Sequence, residues 1–433
     1  MGRPFFINRC MGNILLRNIK LDGLTKDISI TGRLISGIAP AFTVLPQAGT
    51  EVMDCSGKTA VPGFINMHTH SPMTLLRGIG EDVSFHDWLD KIWTIEAGID
   101  HEFIYWGSKL AALEMIKSGT TTFNDQYWSF PETLRASKEM GIRAATGYDI
   151  MDMGDPDTAA FQKEQCMERY ESFKPTDESS IFTMSFHAVY SVSEEMMLWA
   201  SNFAKERNLP LHIHLCETLK EVEDCKQAHG GLTPVEYLDA LGILDSRVIA
   251  AHTLWLSPND VRILGERKVN CVHNINSNLK LSSGYRFLYN ELKEAGANIC
   301  IGTDGPASSN NLDMLEAMKT SALVQKAWRN DPKAMPLGEL FAMSTLNGAK
   351  ALHLNSGSIE TGKLADINIV STDSVHFISP GSFLANLVYS AHSDCIDSVI
   401  AGGEFVMKNR KVRAEEEILE GAGNYLSRHN LTH

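Results

Sequence analysis

His68-Thr69-His70 sets two imidazoles at positions i and i+2, at the end of an apolar run over residues 60–67 that reads as a buried strand. On a strand those positions share a face, so both rings can converge on one cation at the strand's C-terminal end. Other segments repeat the arrangement. His212-Ile213-His214 closes a second apolar run, with Glu217 three residues on. His252 ends Val248-Ile249-Ala250-Ala251, and Asp304 follows Ile299-Cys300-Ile301-Gly302-Thr303. Imidazole nitrogens and a carboxylate, each at the end of its own apolar run, form the donor inventory of a divalent-metal site. Asp304 also reads as a turn or N-cap residue ahead of Gly305-Pro306, and the two roles can coexist.

The elements that would position these groups follow from the hydrophobic pattern. Strand-like apolar runs at 60–66, 120–124, 144–149, 182–187, 211–214, 248–252, 269–273 and 298–302 alternate with helix-period stretches such as 103–118, 131–140, 194–207, 258–266 and 311–329. Eight βα units in one domain predict a (β/α)8 barrel over residues 61–354, with its chemistry at the C-terminal ends of the strands. His68, His70, His187, His214, His252, His273 and Asp304 all fall at such ends. Short alternating patterns return before residue 60 and after 362. Neither stretch is long enough to bury a good core alone, so residues 1–60 and 355–412 are expected to pack together as one small β-sandwich domain. The polar tail, 413–433, reads as a short helix.

Composition excludes several classes. Of 433 residues, 43% are apolar and 21% charged, an ordinary globular mixture. No run of about 18 apolar residues suggests a membrane span, and the N-terminus lacks a secretory pattern. Met1-Gly2 opens like a myristoylation signal, but Phe6 stands where Ser or Thr is wanted. Met11 is an alternative start. The net charge of −14, 39 basic against 53 acidic residues, disfavours a nucleic-acid surface and suits a small neutral or cationic substrate. Eight scattered Cys with no Cys-x-x-Cys pair point to a reducing cytoplasm rather than a disulfide framework.

The motifs resemble the amidohydrolase superfamily, and within it the deaminases of 5'-methylthioadenosine and S-adenosylhomocysteine, with the related triazine chlorohydrolases. The resemblance is carried by Pro62-Gly63-Phe64-Ile65-Asn66-Met67-His68-Thr69-His70 and its continuation to Gly78, by His212-Ile213-His214-Leu215-Cys216-Glu217-Thr218, and by Ala250-Ala251-His252. His273-Asn274-Ile275-Asn276-Ser277-Asn278 and Gly302-Thr303-Asp304-Gly305-Pro306 complete it. It implies one divalent metal ion, zinc or alternatively iron, on His68, His70, His214 and Asp304. It further implies Glu217 as the proton shuttle, His252 as the group holding the attacking water or nascent carbonyl oxygen, and Asp304 as acceptor of the water's proton. Trp88 and Glu96 match a loop that closes over a nucleoside, with Glu96 accepting bonds from the ribose hydroxyls. His187 matches a contact to the purine or ribose, and Ser308 one to the purine edge. Met73 and Leu76 are expected to line the pocket. His273 reads as structural or as support for the site. His212 reads as facing away from His214, in the packing.

One departure bears on specificity. Relatives that accept S-adenosylhomocysteine carry an Arg after the strand matching 144–149; here the residues are Thr146-Gly147-Tyr148-Asp149, with Arg143 ahead of them. The expected substrate is thus an adenosine-type nucleoside with a small 5'-substituent such as methylthio, hydroxyl or hydrogen. The alternatives are an aminohydrolase or chlorohydrolase of a free base or s-triazine, and an inactive barrel serving as a binding protein. No nucleic-acid or membrane partner is expected, and self-association into a homo-oligomer is.

Overall fold

The computed structural model describes residues 12–173 and 179–429. Met1, Cys10 and Met11 lie outside them, and with them the question of the start. The two ends of the chain meet in one sheet. Ile367–Ser371 runs antiparallel to Lys58–Pro62, with Ile369 opposite Ala60. Nine strands join in the order Lys411–Val412, Glu404–Lys408, Ile396–Ala401, Ile367–Ser371, Lys58–Pro62, Asn13–Leu21, Leu24–Thr31 and Leu34–Pro40, with Thr50–Asp54 also paired to Asn13–Leu21. Alternation sends Ile14, Leu16, Ile28, Ile30, Ile367 and Ile369 into one apolar cluster built from both termini.

The barrel strands are Phe64–Thr69, Thr120–Asp125, Arg143–Thr146 continued by Asp149–Ile150, Ser180–Phe182 continued by Met184–Phe186, Leu211–Leu215, Val248–His252, Asn270–His273 and Asn298–Ile301. Every ladder among them is parallel. Every residue of Phe64–Thr69, Thr120–Asp125, Leu211–Leu215 and Val248–His252 is buried, as parallel strands covered on both faces must be. The last strand closes on the first through Asp304 N–H to the His68 carbonyl (2.9 Å) and Thr303 N–H to Asn66 Oδ1 (3.1 Å). Barrel closure and the candidate site therefore use the same residues.

Four boundaries differ from the sequence reading. The run at 60–66 divides at Gly63, where a Cβ would lie 2.3 Å from Thr121 Oγ1. Lys58–Pro62, before the break, pairs in the terminal sheet, and Phe64–Thr69, after it, enters the barrel. The runs at 144–149 and 182–187 each break in two, because the backbones approach so closely that a Cβ on Gly147 would sit 1.8 Å from Thr183 O. The helix read at 311–329 begins at Met314, since the Asp313 carboxylate accepts the N–H groups of Leu315 and Glu316. The tail forms the helix Glu415–Arg428, pinned to the barrel by Tyr425 Oη on Asp100 (3.0 Å).

Among the described residues no helix is long and apolar enough to cross a membrane. Their seven cysteines are free and buried.

Candidate metal centre and active site

The ligand atoms of His68, His70 and His214 lie within 4.8 Å of one another, as do those of His68, His252 and Asp304. Asp304 Oδ1 is 3.1 Å from His68 Nε2 and 3.2 Å from His70 Nε2, and His214 Nε2 is 3.3 Å from His70 Nε2. Tetrahedral donors placed about 2.0–2.1 Å from an ion stand about 3.3 Å apart. His68 Nε2 is sealed from solvent and makes no hydrogen bond of usable geometry, despite the nearness of Asp304. Burial holds the His68 ring neutral, down at about 4, against the pull of Asp304. Burial also acts on His70, but Asp304 and the Gln126 carbonyl outweigh it and lift that ring to about 9. Burial pushes the Asp304 carboxyl up, yet the His68 and His70 rings keep it well below the usual carboxylate range. An ionised carboxylate among imidazoles, with one buried ring nitrogen unspent, is a donor set that fits a divalent cation.

The far nitrogens of these rings are also engaged. His70 Nδ1 donates to the Gln126 carbonyl (2.7 Å) and His214 Nδ1 to the His187 carbonyl (2.9 Å), so in the neutral form of each ring the lone pair lies on Nε2, facing the cluster, and a metal would take the place of the His70 Nε2 proton. The third ring corrects the sequence reading. Positions i and i+2 of a strand share a face, so His212 points inward beneath His214, not away from it. Its Nε2 lies 2.9 Å from His68 Nδ1.

Glu217 and His252 sit against this cluster. The Glu217 carboxyl is buried; burial, with the Asp304 and Glu221 charges, pushes it well above the usual range. Its Oε1 is 3.6 Å from His252 Nδ1 and 3.5 Å from Ser283 Oγ. His252 Nδ1 donates to Asn278 Oδ1 at 2.8 Å, which leaves Nε2 unprotonated. His252 (φ +73°) and Asp304 (φ +61°) both occupy the left-handed region, the kind of backbone strain that gathers at functional sites.

The remaining candidates surround the cluster. Glu96 ends the helix Phe85–Glu96 and accepts the Tyr127 hydroxyl at 2.5 Å. Burial raises its carboxyl to about 7, against the opposing pull of Tyr127 and His70. Trp88, on the same helix, is buried with its indole N–H unpaired. His187 lies beside His214 with its ring tilted (4.9 Å between ring centres, 49° between planes) and meets Ser191 Oγ through Nδ1 at 2.7 Å. The Ser308 hydroxyl lies 2.9 Å from both Asp304 Oδ2 and the Gly305 carbonyl, and its one proton can serve either. Met73 and Leu76 are buried in a cluster with Trp88. His273 stacks on Phe287 (4.2 Å) and belongs to neither metal-competent group.

A family model described as the amidohydrolase family matches residues 59–406. The chain belongs to the amidohydrolase family. It is 41% identical over 373 residues to the 5'-deoxyadenosine deaminase of Methanospirillum hungatei, covering 86% of this chain and 83% of that protein. It is equally identical over 413 residues to 5-methylthioadenosine/S-adenosylhomocysteine deaminase 1 of Archaeoglobus fulgidus, covering 94% of this chain and 96% of that one. Among solved structures it is similar to an adenosine deaminase from Xanthomonas campestris with bound zinc, with a TM-score of 0.88 and 29% identity over 97% of this chain and 98% of that one. The atrazine chlorohydrolase of Arthrobacter aurescens shares the fold, with a TM-score of 0.87 and 22% identity over 95% and 99% of the two chains.

Several working parts of this amidohydrolase's site escape sequence reading. Gln126 holds His70 through its carbonyl, and its amide donates to Asp149 (2.9 Å). Asn278 sets His252, and Tyr127 holds Glu96. Glu221 binds the backbone at Glu217. The inward-facing His212 did leave a signal: it precedes His214 by the same two residues that separate His68 from His70.

Proposed function

We propose that this amidohydrolase hydrolytically deaminates an adenosine-type nucleoside to the inosine analogue and ammonia, with zinc as its divalent metal. His68, His70, His214 and Asp304 would hold the ion, which when bound supplies a Lewis acid that makes hydroxide available at neutral pH. The observation that carries the reading is Glu217: a buried carboxyl 3.6 Å from His252, beside the ligand cluster, and pushed upward by its burial.

Deamination adds water at C6 of the purine and expels the amino group. A proton must leave the water, one must reach ring N1, and one must reach the departing nitrogen. The ionised Asp304 carboxylate accepts the first. Glu217 starts protonated and gives its proton to N1; the hydroxyl proton of the adduct then passes through Glu217 to the departing nitrogen as the C6–N bond breaks and the carbonyl forms, and the proton held on Asp304 restores Glu217. His252, with Nδ1 tied to Asn278, turns Nε2 to the oxygen being added. Glu96 takes two ribose hydroxyls, and Trp88, on the same helix, anchors it against Met73 and Leu76. Ser308 would meet the purine edge from its place beside Asp304.

Small uncharged 5'-groups suit the pocket. Arg143 is buried at the start of its strand in an ion pair with Asp366 (2.8 Å) and offers nothing to a carboxylate at the mouth. The protein's seven described cysteines, all reduced, suit a cytoplasmic enzyme.

Ammonia release should be followed from adenosine, 5'-deoxyadenosine, 5'-methylthioadenosine, S-adenosylhomocysteine, adenine and an s-triazine, with and without chelator. Turnover of the small 5'-nucleosides, abolished by chelator, is expected. Turnover of adenine or triazine alone overturns the assignment, and a preference for S-adenosylhomocysteine overturns the inference about the 5'-group.

A further inference from the structure

The outer partners of the three ring ligands are unlike one another. His70 and His214 each donate from Nδ1 to a backbone carbonyl, which only accepts. His68 has no such carbonyl. Its Nδ1 faces His212 Nε2 at 2.9 Å, the two rings perpendicular (90°) with centres 4.9 Å apart. Beyond His212 the contacts continue: Asn124 Nδ2 lies 3.1 Å from His212 Nδ1 and 3.1 Å from the Met67 carbonyl, and the Thr183 hydroxyl donates to Asn124 Oδ1 at 3.3 Å. His68, His212, Asn124 and Thr183 are all buried, so no water competes for these groups.

We infer that His212 is a positioning residue for the metal centre, acting through His68. The inference rests on the metal-site reading given under Proposed function. The reasoning is one of valence. A neutral imidazole that gives its Nε2 lone pair to a cation must carry its proton on Nδ1. His68 Nδ1–H then needs an acceptor, and the buried atom facing it is His212 Nε2. His212 must accordingly carry its own proton on Nδ1, towards Asn124. In the loaded enzyme Asn124 must then present its amide oxygen there, a half-turn of the amide that gives up the Nδ2 bond to the Met67 carbonyl. Thr183, whose hydroxyl accepts as readily as it donates, then takes the amide N–H. Unlike a carbonyl, this partner has two tautomers. One supports a metal-bound His68, and the other places a proton against it and withholds Nε2.

Support of this kind typically adds 10–100-fold to metal affinity. The test is zinc affinity by competition with a chromophoric chelator, on the full-length wild type and on His212→Leu, His212→Gln and Asn124→Leu, with thermal melts to confirm folding. His212→Leu should bind zinc about 10–100-fold more weakly. His212→Gln, whose amide oxygen can accept from His68 Nδ1–H, should recover most of the loss, and Asn124→Leu should show a smaller loss in the same direction. A folded His212→Leu that binds zinc as tightly as wild type overturns the inference while leaving the metal site intact. A wild type that binds no stoichiometric zinc overturns the metal reading instead. If His212→Leu does not fold, histidine-selective 15N NMR of the zinc-loaded wild type decides. A His212 ring protonated at Nδ1 supports the relay, and one protonated at Nε2 overturns it.

Discussion

Glu221 holds Glu217 by its main chain: Oε2 accepts the Glu217 N–H at 2.8 Å, while Oε1 accepts the Cys216 N–H at the same distance. The arrangement grows from a helix start. Thr218 caps the helix Leu219–Ala228 by accepting the Glu221 N–H, and the Glu221 side chain turns back over the strand end, where Cys216 is left-handed (φ +53°). Two N–H groups with no other partner thereby gain one, and the acid's backbone is pinned beside the cluster. Glu221→Ala leaves both unpaired in a buried place, at about 1–3 kcal/mol each. A misplaced Glu217 should then lower kcat by about 100-fold with little change in KM. Glu221→Gln, which retains one acceptor oxygen, should restore part of both. Steady-state kinetics and thermal melts on the pair check this, and an Ala variant with wild-type kcat would refute the positioning role.

Glu217→Gln removes the transferable proton and keeps the shape. Loss of a general acid costs about 10²–10⁴-fold in kcat. Zinc content should stay at the wild-type value, because Glu217 belongs to neither metal-competent group. Metal analysis beside the kinetics separates this from loss of the cation. A variant that loses zinc along with activity would make Glu217 a ligand instead.

The sequence makes the metal cluster legible because parallel strands buried on both faces leave long apolar runs, and a polar residue ending such a run is conspicuous. Four distant segments, at His68, His214, His252 and Asp304, share that form, and the structure brings them together. The outer layer carries no such mark. Asn124 and Gln126 look like ordinary polar residues at the end of Thr120–Asp125; their meaning lies in which ring they meet, 88 residues away for Asn124 and 56 back for Gln126. Tyr127 reaches Glu96 across 31 residues with no periodicity to announce it. The breaks at Gly147 and Gly63 depend on another strand's backbone or side chain approaching, which no local pattern encodes.

Glu96 gives the pH prediction. Burial raises its carboxyl from the ordinary 4.5 to about 7. The folded state thus binds more protons than the unfolded state between about pH 4.5 and 7, so this group's contribution to stability falls as pH rises through that window and is level above it. Function moves the opposite way. Only the carboxylate accepts from both ribose hydroxyls, so KM for nucleosides should climb as pH falls below about 7. Glu96→Gln should flatten that acid limb and raise nucleoside KM by about 10-fold or more, the scale of a hydrogen bond to a charged group. Turnover of any free base should not respond. A pH profile of KM for the wild type and Glu96→Gln is the measurement, and an unchanged acid limb would remove Glu96 from the ribose site.

Removal of the cation should cost stability as well as activity, because the donors come from strands spread around the barrel. Asp304 helps to join the last strand to the first, through its N–H on the His68 carbonyl and its carboxylate against His68 and His70. A cation bound to the folded state only, at a thousand times its dissociation constant, adds about 4 kcal/mol. Chelator-treated protein should therefore melt lower, and added zinc should restore both the melting temperature and ammonia release in proportion to the metal bound. Asp304→Asn keeps the backbone bond across the barrel seam but removes the charge that draws cations. It should fold, bind zinc weakly and fail to respond to added zinc in the melt. If it melts and reloads as wild type does, Asp304 supplies closure of the barrel alone, and the three imidazoles must hold the ion without it.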